Sequence, residues 1–283
     1  MKVNEYIKAG QVRLEAAALE CADPKLHMKQ IVAFVMGWSF SEIFLHWDEP
    51  LSETDQQKIE AFLRRRLQGE PFQYIAGEEW FWKSRFVVGP GVLIPRKETE
   101  LLVEILLERL PNTTQKVAEL GPGSGNIGLS VCLERPQWEW HAFELNPKSL
   151  PYLKENHKAL LRSSSQYQIH DGDFFTEAQK FSPYDVLVSN PPYVASCDLP
   201  TLSREVRSEP QLALDGGVLG MEVLSRFFAA SVSVLSPKGV LLTEIGSDQG
   251  ELAAKEAARF PFAAVEVLRD YAGLPRAIWA VMS

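Results

Sequence analysis

Asn190-Pro191-Pro192-Tyr193 is the segment of this sequence best equipped for chemistry. It follows the apolar run Tyr184 to Val188, so it falls at the carboxyl end of a strand, where α/β sheets bind ligands. The two prolines stiffen the loop, and the Asn190 side chain and the Pro191 carbonyl then offer two acceptors in fixed directions. Two acceptors suit an NH2 group. A planar amide or aromatic amine is a poor nucleophile because its lone pair is delocalised, and accepting both hydrogens aims that lone pair at an incoming methyl group. Tyr193 is expected to stack flat on such a planar substrate.

A second segment names the methyl donor. Gly121-Pro122-Gly123-Ser124-Gly125 lies between the short apolar strand Val117 to Leu120 and a helix beginning at Asn126. Gly123, Gly125 and Gly128 spell the G-x-G-x-x-G of dinucleotide sites, whereas Gly121, Gly123 and Gly125 spell the G-x-G-x-G of S-adenosylmethionine enzymes. Either match alone is weak, but the strand ends at Leu120, and that register favours the second. Glu144 ends the next strand, about 20 residues beyond the glycines, where an acid can accept both ribose hydroxyls. Its plainer alternative is a cap for the helix after Pro147. Asp173-Phe174 ends the third strand and offers an acceptor for an adenine amine and an aromatic face for its ring.

The elements that must position these groups follow from the pattern of apolar residues. From Glu98 onward, strand-like runs alternate with helical ones, the signature of a doubly wound α/β sheet. Ala264 to Arg269 and Arg276 to Val281 are joined by only six residues, too few for a parallel crossover, so the sheet is expected to finish with an antiparallel strand. That ending separates Rossmann-like methyltransferases from nicotinamide-binding sheets. Before it, residues 1 to about 70 carry helical patterns at Asn4 to Glu20, Pro24 to Val35, Ser41 to Phe44 and Ser52 to Gln68. Arg64-Arg65-Arg66 reads as a solvated face of the last of these. Residues 71–95, with aromatic runs bracketed by Gly and Pro, read as a β-hairpin linker, and residues 96–283 as the catalytic domain.

Composition removes other classes. With 46% hydrophobic and 23% charged residues the chain is an ordinary globular one, long enough for two cores. The three cysteines, Cys21, Cys132 and Cys197, have no C-x-x-C spacing, which disfavours a disulfide framework or zinc site and fits a reducing cytoplasm. The five histidines show no ligand spacing and read as structural or surface groups, so no metal is expected. The first ten residues lack a signal-peptide core, and no apolar stretch is long enough for a membrane span. Net charge is −8, with 9 basic against 11 acidic residues up to Glu70 and 20 against 26 beyond it. A nucleic-acid substrate is therefore disfavoured.

Taken together, these motifs resemble the peptide chain release factor glutamine methyltransferases, the PrmC/HemK family. The resemblance runs through Pro71 to Gly77 as P-x-x-Y-x-x-G, Leu93 to Glu100 around I-P-R-x-E-T-E, the Gly121 to Gly125 loop and Asn190 to Tyr193. It continues through Glu209-Pro210 with Ala213-Leu214, and Arg269-Asp270 before Gly273. The family usually has Pro at Lys97, Trp at Phe174 and Asp at Glu144. The resemblance implies that Gly121 to Gly125, Glu144, Phe174 and Asn190 contact S-adenosylmethionine, and that Asn190 to Tyr193 hold a glutamine. That glutamine would be the one in the Gly-Gly-Gln loop of class I peptide chain release factors, recognised with help from the helical N-terminal domain. Alternatives are a ribosomal-protein glutamine methyltransferase, a DNA adenine methyltransferase, which shares N-P-P-Y, and a catalytically silent module that docks on release factors.

Overall fold

The computed structural model describes residues 1–17 and 23–283, so Cys21 and the end of the first expected helix lie outside the described residues. The chain divides into two units, Met1–Gly77 with Leu202–Ser208, and Glu78–Thr201 with Glu209–Ser283.

The first unit is helical: α1 (Val3–Ala16), α2 (Pro24–Met36), α3 (Glu42–Leu45), α4 (Glu53–Leu67) and α5 (Phe72–Ala76). Local chemistry sets the helix ends. Asp23 accepts the Leu26 N–H ahead of Pro24, Gly37 closes α2 in the left-handed region, and Ser52 caps α4 by accepting the Asp55 N–H. Ile7, Leu14, Met28, Ile31, Ile59 and Leu63 form its core.

Two expectations change here. Phe72–Ala76 is a helix within this unit, with Tyr74 buried, so the helical part extends to Gly77. The Arg64 to Arg66 run is not one solvated face, because consecutive helical residues point about 100° apart. Arg66 is 1% exposed; it donates to His27 Nε2 at 2.7 Å and Glu205 Oε1 at 2.5 Å, and also to the Glu70 carbonyl. Burial and the adjacent guanidinium push the His27 pKa down to about 4, so the imidazole is neutral and can accept.

The second unit opens with the hairpin β1 (Glu78–Phe81) and β2 (Ser84–Val87). It is part of this unit's core rather than a linker, since Phe81 and Phe86 are fully buried there. Asn156 secures it, accepting the Val87 N–H and donating to the Val87 and Ser124 carbonyls. A 3-10 turn at Lys97–Thr99 leads into α6 (Glu100–Arg109).

There follow β3 (Lys116–Leu120), α7 (Asn126–Glu134), β4 (Glu139–Glu144), α8 (Leu150–Leu161), β5 (Tyr167–Asp171), α9 (Phe174–Glu177) and β6 (Tyr184–Ser189). The chain ends with α10 (Glu222–Val234), β7 (Leu235–Glu244), α11 (Gly250–Ala257), β8 (Phe262–Arg269) and β9 (Pro275–Met282).

Seven strands form one sheet in the order β5-β4-β3-β6-β7-β9-β8. The first five are parallel, and β9 lies antiparallel between β7 and β8. The expected antiparallel last strand is present, inserted one place in from the edge. Alternate strand residues serve opposite faces. Val117, Val186, Val188 and Leu242 pack with α6, α7 and α8, whereas Ala118, Leu187 and Leu241 pack with α10 and α11. Chain order reverses between β3 and β6, and that switch point opens a crevice at the carboxyl ends of the strands. Among the described residues, no helix is long and apolar enough to cross a membrane.

Candidate active site

A cavity of about 1130 Å³, counted to its open mouth, occupies that crevice. The turns after β3, β4, β5 and β6 all reach it, bringing together Gly121, Pro122, Gly123, Ser124, Glu144, Asp173, Phe174, Asn190, Pro191 and Pro192. Gly125 stands just behind. It caps α7 at φ +83°, and a Cβ there would meet Leu129 and Leu153 at 2.7 Å, so the turn requires glycine.

Glu144 holds the glycine turn in shape. Its Oε2 accepts the Gly123 N–H at 2.9 Å and its Oε1 accepts the Asn146 N–H at 2.7 Å. Burial raises its pKa above the usual carboxylate range, and the two N–H groups oppose that rise. The carboxylate also lines the cavity, where its acceptor oxygens can meet a ligand. Glu144 does not cap α8, whose N-cap is Ser149.

At the end of β5, Asp173 caps α9, with Oδ1 accepting the Phe175 N–H at 3.0 Å. Its Oδ2 lies 3.9 Å from Arg226. Phe174 lines the cavity but is 3% exposed, standing edge-on to Phe143 and Phe227 as part of the core. The more accessible ring is Phe175, which also lines the cavity and carries the Arg226 guanidinium 3.9 Å above its centroid. The sequence reading missed Phe175 and Arg226, although the second Phe of Asp173-Phe174-Phe175 was a visible signal.

Asn190 leaves β6 with its side chain in the cavity, and its Nδ2 donates to Thr99 Oγ1 at 3.1 Å. The Asn190 oxygen is thereby left for a ligand. Tyr193 differs from expectation. Its hydroxyl donates to Glu244 Oε1 at 3.1 Å, and the cavity lining from this loop ends at Pro192, so the ring braces the loop rather than forming a stacking platform.

Two motifs beyond the site keep the loop in place. The Val194 N–H donates to the Leu214 carbonyl, and the Gly216 N–H to that of Val194. Glu209 accepts the Ile94 N–H at 2.9 Å and pairs with Arg96, which also lines the cavity. Lys97, in place of the usual proline, starts the 3-10 turn and reaches Glu100 at 2.9 Å.

The donor set fits S-adenosylmethionine. A Cβ on Gly121 would meet nothing within 4 Å, and one on Gly123 only Val92 at 3.8 Å. The missing side chains leave open space where a ligand can lie against the backbone, with the Glu144 carboxylate ready for ribose hydroxyls.

The sheet order, with one reversed strand beside β7, and the glycine turn facing an acid at the end of β4 define a Rossmann-like, class I S-adenosylmethionine-dependent methyltransferase. Solved structures agree at the level of fold. They include the hMettl16 catalytic domain in complex with MAT2A 3'UTR hairpin 6 (TM-score 0.55, 13% identity, 70% of this chain and 75% of that one). Another is the T. thermophilus 16S rRNA N2 G1207 methyltransferase (RsmC) in complex with AdoMet and guanosine (TM-score 0.50, 18% identity, 73% of this chain and 50% of that one).

Two family descriptions match along the chain, PrmC N-terminal domain over residues 5–77 and Methyltransferase small domain over residues 85–206. A release factor glutamine methyltransferase from Moorella thermoacetica is 35% identical over 283 residues, covering 99% of this chain and 98% of the relative. One from Nitratidesulfovibrio vulgaris is 36% identical over 281 residues, covering 97% and 93%. This chain belongs to the family of release factor glutamine methyltransferases.

Proposed function

We propose that this protein methylates the side-chain amide nitrogen of the glutamine in the Gly-Gly-Gln loop of class I peptide chain release factors, in support of translation termination. The observation that carries the reading is the Asn190 amide. Its nitrogen is committed to Thr99, and its oxygen is left to accept in the same cavity as the glycine turn and Glu144. Gly121 to Ser124, Glu144, Asp173 and Asn190, with Phe175 as the accessible ring, would hold S-adenosylmethionine, which when bound supplies an electrophilic methyl on a positively charged sulfur.

The protein's own contribution is orientation. Asn190 Oδ1 and the Pro191 carbonyl accept the two hydrogens of the glutamine amide and turn its nitrogen lone pair toward the methyl group. Pro192 walls the pocket, and Tyr193 stiffens the loop from behind. The apolar walls shield the reacting atoms, while the open mouth leaves water within reach to take up a proton. No strong base is required before attack. As the nitrogen–carbon bond forms and the carbon–sulfur bond breaks, the nitrogen becomes acidic and releases its extra proton to water.

The helical first unit holds none of these groups, and in this reading it grips the release factor away from the reacting loop. The reaction is assigned to the cytoplasm, where the free thiols of Cys132 and Cys197 would stay reduced. Labelled S-adenosylmethionine offered in parallel to a class I release factor, a ribosomal protein and DNA tests the assignment. Label is expected in the release factor alone, on the glutamine by mass spectrometry. Label only in the ribosomal protein or DNA, or in none, overturns it.

A further inference from the structure

Glu244 is a charged group that the reaction above does not use, and it is 1% exposed at the end of β7. It is not among the residues lining the cavity, so it cannot act on a ligand directly. Both ends of the Asn190 to Tyr193 loop nonetheless lead to it. Tyr193 donates to its Oε1 at 3.1 Å. Thr99 donates to its Oε2 at 2.6 Å and accepts from Asn190 Nδ2 at 3.1 Å.

We propose that Glu244 is a positioning residue that, through the Thr99 hydroxyl, fixes which end of the Asn190 amide faces the substrate. An ionised carboxylate only accepts, and a threonine hydroxyl has a single proton to give. With that proton directed at Glu244, Thr99 presents lone pairs to Asn190, and only the NH2 end of the amide can meet them. A reversed amide would set two acceptors against each other at about 3 Å in a part-buried site, at the cost of an unmade hydrogen bond. The amide oxygen is therefore held toward the cavity before any substrate arrives. A substrate NH2 needs that acceptor, and reversal would present it with a donor instead.

The polarity has a protonation limit. A protonated Glu244 no longer demands the threonine proton, Thr99 can then donate to Asn190, and both amide orientations are satisfied. Burial raises the Glu244 pKa to about 7. The groups around it are Thr99 and Glu98 on the 3-10 turn, Tyr193 on the loop after β6, and Arg276 on β9, itself paired with Asp270. The Thr99 and Tyr193 hydrogen bonds and Arg276 favour the carboxylate, and Glu98 opposes it. The lock is thus present above about pH 7 and lost as pH falls through that value.

The inference rests on the methyl-transfer reading, so the test carries one arm that needs no reaction. Steady-state rates on a release factor are measured against pH at saturating S-adenosylmethionine for the wild type and Thr99→Val, Thr99→Ser and Glu244→Gln. The wild-type kcat should climb with pH through about 7 and level off above it. Thr99→Val keeps the branched shape without the hydroxyl and should lower kcat about 10-fold or more, with cofactor affinity within about twofold and the climb abolished. Thr99→Ser should restore both the rate and the climb. Glu244→Gln, which nearly keeps the shape, should lower kcat and remove the climb.

In the second arm, the side-chain amide signals of Asn190 are followed by NMR in the cofactor-free protein. They should shift with a midpoint near pH 7 in the wild type and not in Thr99→Val. Thr99→Val or Glu244→Gln with wild-type kcat and an unchanged climb, or Thr99→Ser as impaired as Thr99→Val, overturns the inference. If the wild type leaves release factor unmethylated, the functional reading fails instead. The NMR arm then decides alone, and an Asn190 signal blind to pH or to Thr99→Val refutes the relay.

Discussion

Gly123 donates its backbone N–H to Glu144 across 2.9 Å, tying the turn after β3 to the end of β4. In the reading proposed above, the carboxylate that shapes the glycine turn is also the acceptor for a ribose. Glu144→Ala removes both functions and is expected to weaken S-adenosylmethionine binding by about 1–3 kcal/mol, the scale of charge-assisted hydrogen bonds, with a smaller effect on kcat at saturating cofactor. Titration calorimetry on the purified variant measures this. Unchanged affinity would confine Glu144 to its backbone contacts.

Asn190 is expected to separate binding from turnover in the opposite sense. Asn190→Ala deletes the acceptor proposed to aim the nucleophile, and lost alignment should cost about 100-fold or more in kcat. Cofactor affinity should fall far less, because the glycine turn and Glu144 are untouched. Near-normal turnover on a release factor would remove Asn190 from the reaction.

Those two groups were legible in the sequence because each sits where one strand ends. A strand followed at once by glycines, by an acid or by Asn-Pro-Pro places its chemistry at the sheet's carboxyl edge without any long-range information. Thr99 and Glu244 were not legible. They are 145 residues apart and meet only when the turn before α6 folds over the end of β7. Tyr193 misled for the same reason, since its partner lies 51 residues away. Phe174 and Phe175 are neighbours that point different ways, and only packing reveals that the first belongs to the core. Arg66 was hidden within a basic run whose other members gave no sign that one would be buried.

Glu119 gives a prediction on stability. It is fully buried against Gly128 of α7, where Trp140 Nε1 donates to its Oε2 at 2.8 Å, and burial raises its pKa to about 8 from 4.5. The folded protein then holds a proton that the unfolded chain has released. This group's contribution is fully present below about pH 4.5 and is lost as pH rises toward about 8. Glu119→Gln cannot ionise and should escape that loss, so its stability relative to wild type should improve by about 1 kcal/mol or more between about pH 5 and about pH 8. Denaturant unfolding at both pH values provides the comparison. Parallel behaviour of the two proteins would mean that Glu119 is ionised in the fold across the whole range.

The helical first unit sets the last expectation. It has a core of its own around Ile7, Ile31, Ile59 and Leu63, and none of its described residues lines the cavity. A catalytic sheet that needs only a glutamine side chain has no chemical use for it. If it grips the release factor, binding energy gathered at a distance positions the glutamine, and its loss should appear in kcat/KM only when the whole partner is the substrate. A protein beginning at Glu78 keeps both sheet cores and the cavity, and it should still bind S-adenosylmethionine. It should lose most of its kcat/KM on an intact release factor while its slow rate on a short Gly-Gly-Gln peptide changes little. Both proteins are assayed on both substrates. An equal loss on peptide and partner would show that residues 1–77 support the catalytic fold rather than recognise the release factor.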